Sequence, residues 1–332
     1  MSGRTCTSNN RPDNVLTISI INYRNWRATA QCIADIVLAC EGLEYRILVR
    51  DNSEISETDQ PQNRLPQAPC EMLHFESPDN PGFGGGHNRN FHAVKHGADD
   101  VFLVLNNDIR IRGNGVIKTM MQACARNRIA SCVIETATGE VWLACGMINR
   151  FTGDLIAERK VFADSFRFAD FVSGCCLMIP SALYGLLGGF DECFFMYTED
   201  LDLCLRAREL GVETLVVKQR IIHQVGSGEK GRYSDLYLYQ NTKNRFICLR
   251  RHRMGIYPIN IVYFVVKYGV ARSVQLAVHS PTRLRQIGAT WRGLWDGFQT
   301  SKNTQSIGKS ELNLALRKHL RHGEAGSSSQ ER

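Results

Sequence analysis

The sequence predicts an α/β protein: a mostly parallel central sheet flanked by helices, with a small antiparallel element and a helical C-terminal region. Three observations lead there. Over the first 110 residues, short apolar runs bounded by polar turns alternate with segments of helical spacing, the pattern of strand–helix–strand units. Two of those runs end abruptly in a carboxylate, Asp51 in YRILVRD and Asp108 in VFLVLNND, and open α/β sheets bind ligands outside the carboxyl ends of their strands. The composition is that of a globular chain, 43% apolar and 22% charged over 332 residues, enough for a sizeable core in one large or two modest domains.

Taken in order, Val15–Asn22 reads as a buried strand and Arg24–Cys40 as a helix, with Trp26, Ala30, Ile33, Val37 and Cys40 near helical spacing. Tyr45–Asp51 is a second strand, and 54–70, rich in Pro, Gln, Ser and Asp, is a loop. Met72–Phe75 is a third strand. A glycine-rich turn, a helix from about His87 to His96 and the strand ending at Asp108 follow. Ile117–Arg126 is helical, and Ser131–Ile156 has the short alternating segments of an antiparallel hairpin. Phe171–Phe190 carries no charge and is long enough to span a bilayer. Its four glycines and Pro180 instead predict a buried strand over Phe171–Ile179, a short helix and a glycine turn. Thr198–Leu210 is a helix capped by Thr198, with acids in its first turn and Gly211 as its stop. Val212–Val217 is a strand leading to His223, and Tyr233–Arg253 is helical. Residues 1–14 and 321–332 read as disordered tails. The chain therefore divides into a core of residues 15–228, with halves 15–110 and 111–228, and a basic helical region of residues 229–320.

The twelve cysteines are scattered, without the repeated spacing of a zinc site. The opening residues are polar, without the apolar centre of a secretory leader. Together these predict reduced, buried thiols in a cytoplasmic protein, Cys175 and Cys176 included. Charge is uneven. Lys243–Arg332 holds 16 Lys and Arg against 4 Asp and Glu, a balance of +12 in a chain of net +7, so residues 1–242 carry −5. A basic region implies an anionic partner. Its stretches of Ile, Val, Tyr, Phe and Trp favour a membrane interface over nucleic acid, although the same amphipathic faces could pair two chains as a homodimer.

Five constellations carry chemistry. Asp51 can accept hydrogen bonds from a base or ribose. Gly82, Gly84, Gly85 and Gly86 bring backbone amides close to an anion before a helix, but match neither the dinucleotide fingerprint nor a P-loop. Asp108, with Asn106 and Asn107 before it, suits a hard divalent ion on a diphosphate, which needs few protein ligands. Glu199 and Asp200 at a helix start can be simple dipole partners, or an acid pair supplying a general base. His223 is a metal ligand or a core histidine.

The order of these elements resembles family 2 glycosyltransferases of the GT-A fold, a Rossmann-like architecture, in their rhamnosyltransferase-like branch. The residues that carry the resemblance are IINYRN, VRDNS, NPGFGGGHNRN, LNND, FVSGCCLMIP, GGFDECFFMYTEDLDLCLRARELG, His223 with Gly226 and Ser227, and YQNTKNRFICLRRHR. They cover residues 15–255, with a weaker echo in WRGLWDGF.

The resemblance implies roles residue by residue. Asn22 and Tyr23 meet the nucleotide and Asp51 contacts its base. Asn80, Gly82, Phe83 and Asn88 form the loop that closes over nucleotide and sugar, and Asn106 and Asn107 face the same ligand. Asp108 is the last acid of the DxD motif and binds the metal, Mg²⁺ or Mn²⁺, with His223 completing the site. Asp200 is the catalytic base of the ED motif and Glu199 supports it. Two positions depart from the pattern: Asn106 replaces the first acid of DxD, which would lower metal affinity, and Arg50 puts a charge in a strand that is usually apolar.

The implied reaction is inverting transfer of L-rhamnose from dTDP-rhamnose, or of another sugar from a dTDP- or UDP-sugar, to a glycan or polyprenyl-diphosphate-linked acceptor. Two other functions fit parts of the chain. A sugar nucleotidyltransferase wants basic residues near its first strand, where residues 15–24 supply only Arg24. A non-catalytic scaffold would not need Asp108, Asp200 and His223 together.

Overall fold

The computed structural model describes residues 15–53, 68–113, 115–124, 128–224 and 234–303. The first half runs β1 (Leu16–Asn22), α1 (Trp26–Ala39), β2 (Tyr45–Asp51), β3 (Glu71–Glu76), α2 (Gly82–His92) and β4 (Val101–Asn106). The second runs β5 (Ile109–Ile111), α3 (Val116–Cys124), β6 (Ile129–Thr136), β7 (Val141–Leu143), β8 (Cys145–Ile148), β9 (Leu155–Glu158), β10 (Phe166–Ala169), β11 (Cys176–Pro180), α4 (Ser181–Leu186), α5 (Glu199–Glu209) and β12 (Thr214–His223). Helices α6 (Asp235–Arg251), α7 (Ile259–Phe264), a π-helical turn (Val265–Ala271), α8 (Arg272–His279) and α9 (Arg283–Asn303) follow.

One ten-stranded sheet has the order β10-β12-β6-β11-β4-β1-β2-β3, with β5 on β12 and β7 on β6. Strands β4, β1, β2 and β3 are parallel. Strand β11 is antiparallel to both β4 and β6, and β12 is parallel to β6. The carboxyl ends of β1, β2, β4, β6 and β12 therefore share one edge, and this edge collects Asn22, Asp51, Asn106, Asp108 and His223. The expected α/β architecture with its small antiparallel element, here the β8–β9 pair, is the observed one.

Strand β4 shows why its run is unbroken. Leu103 and Leu105 face a cluster with Ile33 and Ile36 of α1 and Met120 of α3. Phe102 and Val104 face another with Tyr184 of α4 and Leu203 of α5. A strand covered on both faces has no polar alternation. A third cluster, Phe194, Leu201, Phe246, Ile247, Phe264 and Leu294, joins the C-terminal helices to α5. The eleven described cysteines are free thiols, and Cys175 and Cys176 are core.

Several element boundaries differ from expectation. Helix α2 starts at Gly82, so the glycines lie inside it rather than ahead of it. Close packing explains this: a Cβ on Gly84 would come within 2.9 Å of Phe190, and one on Gly86 within 2.8 Å of Ile21. Strand β6 joins the main sheet instead of a separate hairpin, and β10 was not foreseen. The strand expected over Phe171–Ile179 is shorter and ends one residue later, at Cys176–Pro180. The segment Phe171–Phe190 is thus strand, short helix and turns. Thr198 precedes α5 without a side-chain cap bond, since its backbone is left-handed (φ 80°). The loop expected at 54–70 falls largely, and Gly226 and Ser227 wholly, outside the described residues, as do 1–14 and 304–332.

Arg50, the unexplained charge, is buried in a polar network. Its Nε donates to Asn90 Oδ1 (3.0 Å) and Nη1 to Ser77 Oγ (2.9 Å), and its guanidinium lies over the Phe75 ring. Asn90 in turn donates to Ser19 Oγ (2.9 Å) and to the Leu48 carbonyl (3.2 Å), so the charge braces α2 against β1 and β2.

Candidate active site

The turn Asn107–Asp108 joins β4 to β5. Strand β5 pairs antiparallel with the end of β12, with His223 opposite Ile109, and the Gln224 amide donates to the Asp108 carbonyl (2.9 Å). The ladder therefore sets two side chains together: His223 Nε2 lies 3.2 Å from Asp108 Oδ1. Asn106 Nδ2 approaches the same histidine nitrogen at 3.4 Å, and Trp142 packs its ring edge against the imidazole at 5.4 Å. His223 Nδ1 is buried without a hydrogen-bond partner, and Asp108 Oδ1 is buried with no hydrogen bond beyond its contact with His223 Nε2. Two donors that share one divalent ion at about 2.1 Å from each lie about 3 Å apart. This buried carboxylate–imidazole pair, its donors 3.2 Å apart, fits such an ion.

Next to it on the same edge, Asn22 at the end of β1 is fully buried. Its Nδ2 donates to Asp51 Oδ1 (3.0 Å), and its Oδ1 accepts from Thr29 (2.8 Å) and Asn107 (3.4 Å). Asp51 Oδ1 also accepts from the Ser53 amide (3.0 Å) and hydroxyl (2.6 Å). Asn22 and Asn107 thus brace Asp51 and the Asn107–Asp108 turn, while Tyr23 is exposed beside Arg24.

The loop residues take different places. Asn80 is left-handed (φ 40°) and its Oδ1 accepts from the Gly82 amide at 3.2 Å. Gly82 (φ 79°) has no room for a side chain, because a Cβ would collide with the Phe195 carbonyl. The Phe83 amide donates to that carbonyl at 2.9 Å. Asn88 points elsewhere. Its Nδ2 donates to the Phe190 carbonyl (2.8 Å) and Glu192 (3.0 Å), and its Oδ1 accepts from Tyr184 (2.7 Å) and the Phe190 amide (2.9 Å). That saturates the amide, so Asn88 holds the 190–192 turn. His87 is buried with Nδ1 at 2.7 Å from Ser19, and burial lowers its pKa to about 3, leaving it neutral.

Glu199 and Asp200 open α5 after two left-handed residues, Tyr197 (φ 69°) and Thr198. Asn244 of α6 fixes that turn by donating to the carbonyls of Met196 (2.8 Å) and Tyr197 (2.9 Å). Asp200 Oδ2 accepts from the Gly174 amide and Oδ1 from the Leu201 amide, both at 2.8 Å. One residue on, the Cys175 carbonyl accepts from the Asn106 amide (3.0 Å). The segment 173–175 therefore ties Asp200 to the β4 end that carries Asp108. Burial raises the Asp200 pKa against these amides. Glu199 is buried with Oε2 unpartnered, and burial, then repulsion from Asp200, pushes its pKa well up.

Asp202, one turn on, is of another kind. Burial opposes its charge, but His252 Nε2 (2.9 Å), Arg206 Nε (2.8 Å) and Arg251 Nη1 (2.8 Å) outweigh that and lower its pKa. Asp202, Cys248 and His252 lie close enough together to ligate a metal, yet the two guanidiniums repel a cation and occupy the carboxylate. This cluster is a strut between α5 and α6.

The residues that sequence reading missed are Gly174, Asn244, Trp142 and Phe195. Gly174 sits in the quoted FVSGCCLMIP and Asn244 in YQNTKNRF; both motifs pointed to them without a role.

The family model described as "Glycosyltransferase like family 2" matches residues 16–248. The chain belongs to glycosyltransferase family 2. Among curated relatives, the low-salt glycan biosynthesis hexosyltransferase Agl10 of Haloferax volcanii is 23% identical over 252 residues, 70% of this chain and 74% of that protein. The N-acetylglucosaminyl-diphospho-decaprenol L-rhamnosyltransferase of Mycobacterium tuberculosis is 25% identical over 268 residues, 73% and 86%. Rhamnosyltransferase WbbL of Escherichia coli K12 is 23% identical over 63% and 84%. Among solved structures, GalNAc-T7 with UDP, GalNAc and Mn²⁺ superposes with a TM-score of 0.55 at 12% identity, over 88% of this chain and 58% of the length of that one. The mannosyltransferase PcManGT from Pyrobaculum calidifontis, in complex with GDP-Man and Mn²⁺, does so with 0.50 at 11%, over 97% and 85%. The fold is shared with these glycosyltransferases, and this family 2 chain is a glycosyltransferase.

Proposed function

We propose that this glycosyltransferase transfers a sugar with inversion, L-rhamnose from dTDP-rhamnose, to a hydroxyl of a cell-envelope glycan or polyprenyl-diphosphate-linked acceptor. The observation that supports the reading is the tie between Asp200 and Asn106 through Gly174 and Cys175, which links the carboxylate read as the base to the end of the strand that carries Asp108. The rhamnose donor rests on the two rhamnosyltransferase relatives.

In this reading Tyr23 and Asp51 bind the nucleoside, and Asn22, Asn107, Asn80 and Gly82 hold the walls of its site. Phe83 packs beside Gly174 and closes over the sugar. A divalent ion, Mg²⁺ or Mn²⁺, held by Asp108 and His223 would neutralise the leaving diphosphate. The Asp200 carboxylate takes the proton of the acceptor hydroxyl as that oxygen forms its bond to the anomeric carbon. The bond to the diphosphate oxygen breaks on the opposite face, so one displacement inverts the centre. Such transfers pass through an oxocarbenium-like transition state. The raised pKa of Asp200 suits a base, since a more basic carboxylate accepts a proton more readily. Glu199 keeps a like charge away when protonated.

A lipid-linked acceptor would place the enzyme at the cytoplasmic face of an anionic membrane, peripherally bound. The test is transfer from dTDP-rhamnose and UDP-sugars to lipid-linked and free glycan acceptors, with the product's anomeric configuration read by NMR. An inverted product supports the reading; a retained one refutes it.

A further inference from the structure

Helix α7, the π-helical turn and α8 form one rod from Ile259 to His279, long and apolar enough to cross a membrane. One side of it is open. Ile259, Val262, Val266, Val270, Val274 and Val278 are 49–71% exposed. From Val262 on they recur every four residues. In an α-helix four residues overshoot a turn by about 40°, so such a series drifts around the rod. The π-helical turn covers the step Val266–Val270. Its wider i→i+5 winding makes four residues fall short of a turn and reverses the drift. The result is a single straight stripe of branched aliphatic side chains.

The other side is held to the body. Asn260, Phe264 and Leu276 are buried. Tyr268 donates to Asp154 Oδ1 at 2.6 Å and Tyr263 to Oδ2 at 3.3 Å, and Lys267 pairs with the same carboxylate. Gly269 lies against Trp291. A rod anchored this way cannot thread a bilayer without exposing that buried side.

Charge selects the occupant of the open side. From Ile256 to Trp295 the sequence has no Asp or Glu, and besides Lys267, which Asp154 holds on the body side, it has Arg272, Arg283, Arg285 and Arg292; Arg285 and Arg292 meet Asp235 and Asp296 with side chains 81% and 78% exposed. We propose that the valine stripe is an in-plane docking surface for an anionic bilayer. The aliphatic side chains sit at the headgroup–acyl boundary and the arginines Arg272, Arg283, Arg285 and Arg292 lie at lipid phosphates, the arrangement of interfacial helices. The inference gives the membrane partner of the proposed function its contact surface, and it rests on that reading only for its biological purpose.

The test is co-sedimentation of the full chain with vesicles of equimolar phosphatidylglycerol and phosphatidylcholine, and of phosphatidylcholine alone. Anionic vesicles should capture the protein at least about tenfold better, high salt should weaken capture, and alkaline carbonate should release it. The double variant Val266→Glu/Val274→Glu should lose at least about tenfold in partition. Val266→Ser/Val274→Ser should lose less and serves where the first misfolds. Circular dichroism and nucleotide-induced thermal shifts on the same samples separate failed docking from failure of the transferase reading. Unchanged partition of both folded variants, or carbonate resistance, would overturn the proposal. So would a vesicle-free dimer that the variants dissociate, since the stripe would then belong to a second copy of the chain.

Discussion

The amide of Gly174 donates to Oδ2 of Asp200 at 2.8 Å. A Cβ on Gly174 would stand 3.1 Å from the Phe83 ring and 3.4 Å from the Asp200 Cβ. One residue thus touches the proposed base and the residue proposed to close over the sugar, and no side chain fits between them without moving one.

Gly174→Ala should therefore lower kcat by about tenfold to a hundredfold, as small misplacements of reacting groups do. The KM for donor should change less than kcat, because the added methyl shifts the Phe83 ring but leaves Asp51 and Asp108 untouched. Steady-state kinetics with each substrate varied in turn checks the split; a pure rise in donor KM would count against it.

Asp200→Asn should cost about 10²- to 10⁴-fold in transfer, the usual worth of a positioned base. Calorimetry should find nucleoside diphosphate binding unchanged. Activity close to wild type would remove Asp200 from the role of base.

The pKa directions give a pH signature. Asp200 must be ionised to accept a proton, and burial raises its pKa. The acid limb of kcat should then lie above the ordinary carboxyl range and vanish in Asp200→Asn.

Stability should respond in opposite senses at Glu199 and Asp202. Glu199 has a raised folded pKa, so its contribution is present below the unfolded value and is lost as pH rises through the folded one. Glu199→Gln should melt higher than wild type, by a margin that widens as pH rises above the ordinary carboxyl range. Asp202 has a lowered folded pKa, so its stability is present above the unfolded value and lost on acidification. Asp202→Asn should cost about 3 kcal/mol at neutral pH, because it leaves Arg251 and His252 short of their partner, and less as pH falls. Thermal melts across pH check both signs.

Asn244→Leu should release the Met196 and Tyr197 carbonyls. The left-handed pair Tyr197–Thr198 before Asp200 carries about 1–3 kcal/mol of strain each where nothing over-determines it. The expected outcome is a fall in kcat of about tenfold or more with donor affinity kept. Equal losses in both would make Asn244 a purely structural residue.

What was legible in the sequence follows from how local the cause is. The apolar run Val101–Leu105 announces a strand covered on both faces, and its abrupt end in Asn106–Asp108 announces the ligand edge. The partner of Asp108 was legible only as a resemblance. What puts His223 there is the pairing of β5 with β12, a contact across more than a hundred residues of chain. The resemblance puts Asn88 in the loop over the nucleotide, whereas the four hydrogen bonds of its amide go to the distant segment 184–192, which no local pattern shows. Arg50 looked anomalous because Asn90 and Ser77 come from other elements. Thr198 has the residue type of a cap, but the Asn244 bonds to the preceding turn hold a backbone that forbids that role.

The central claim is a metal-assisted nucleotide-sugar site built on Asp108 and His223, and a thermal-shift screen of nucleoside diphosphates and nucleotide sugars tests it most directly, with and without Mn²⁺ or Mg²⁺. Specific binding stabilises the fold by about 2.7 kcal/mol at a hundredfold excess over Kd. The account predicts a shift with dTDP compounds that requires the metal and disappears in Asp108→Ala. No shift with any nucleotide, or an equal shift in Asp108→Ala, would contradict it.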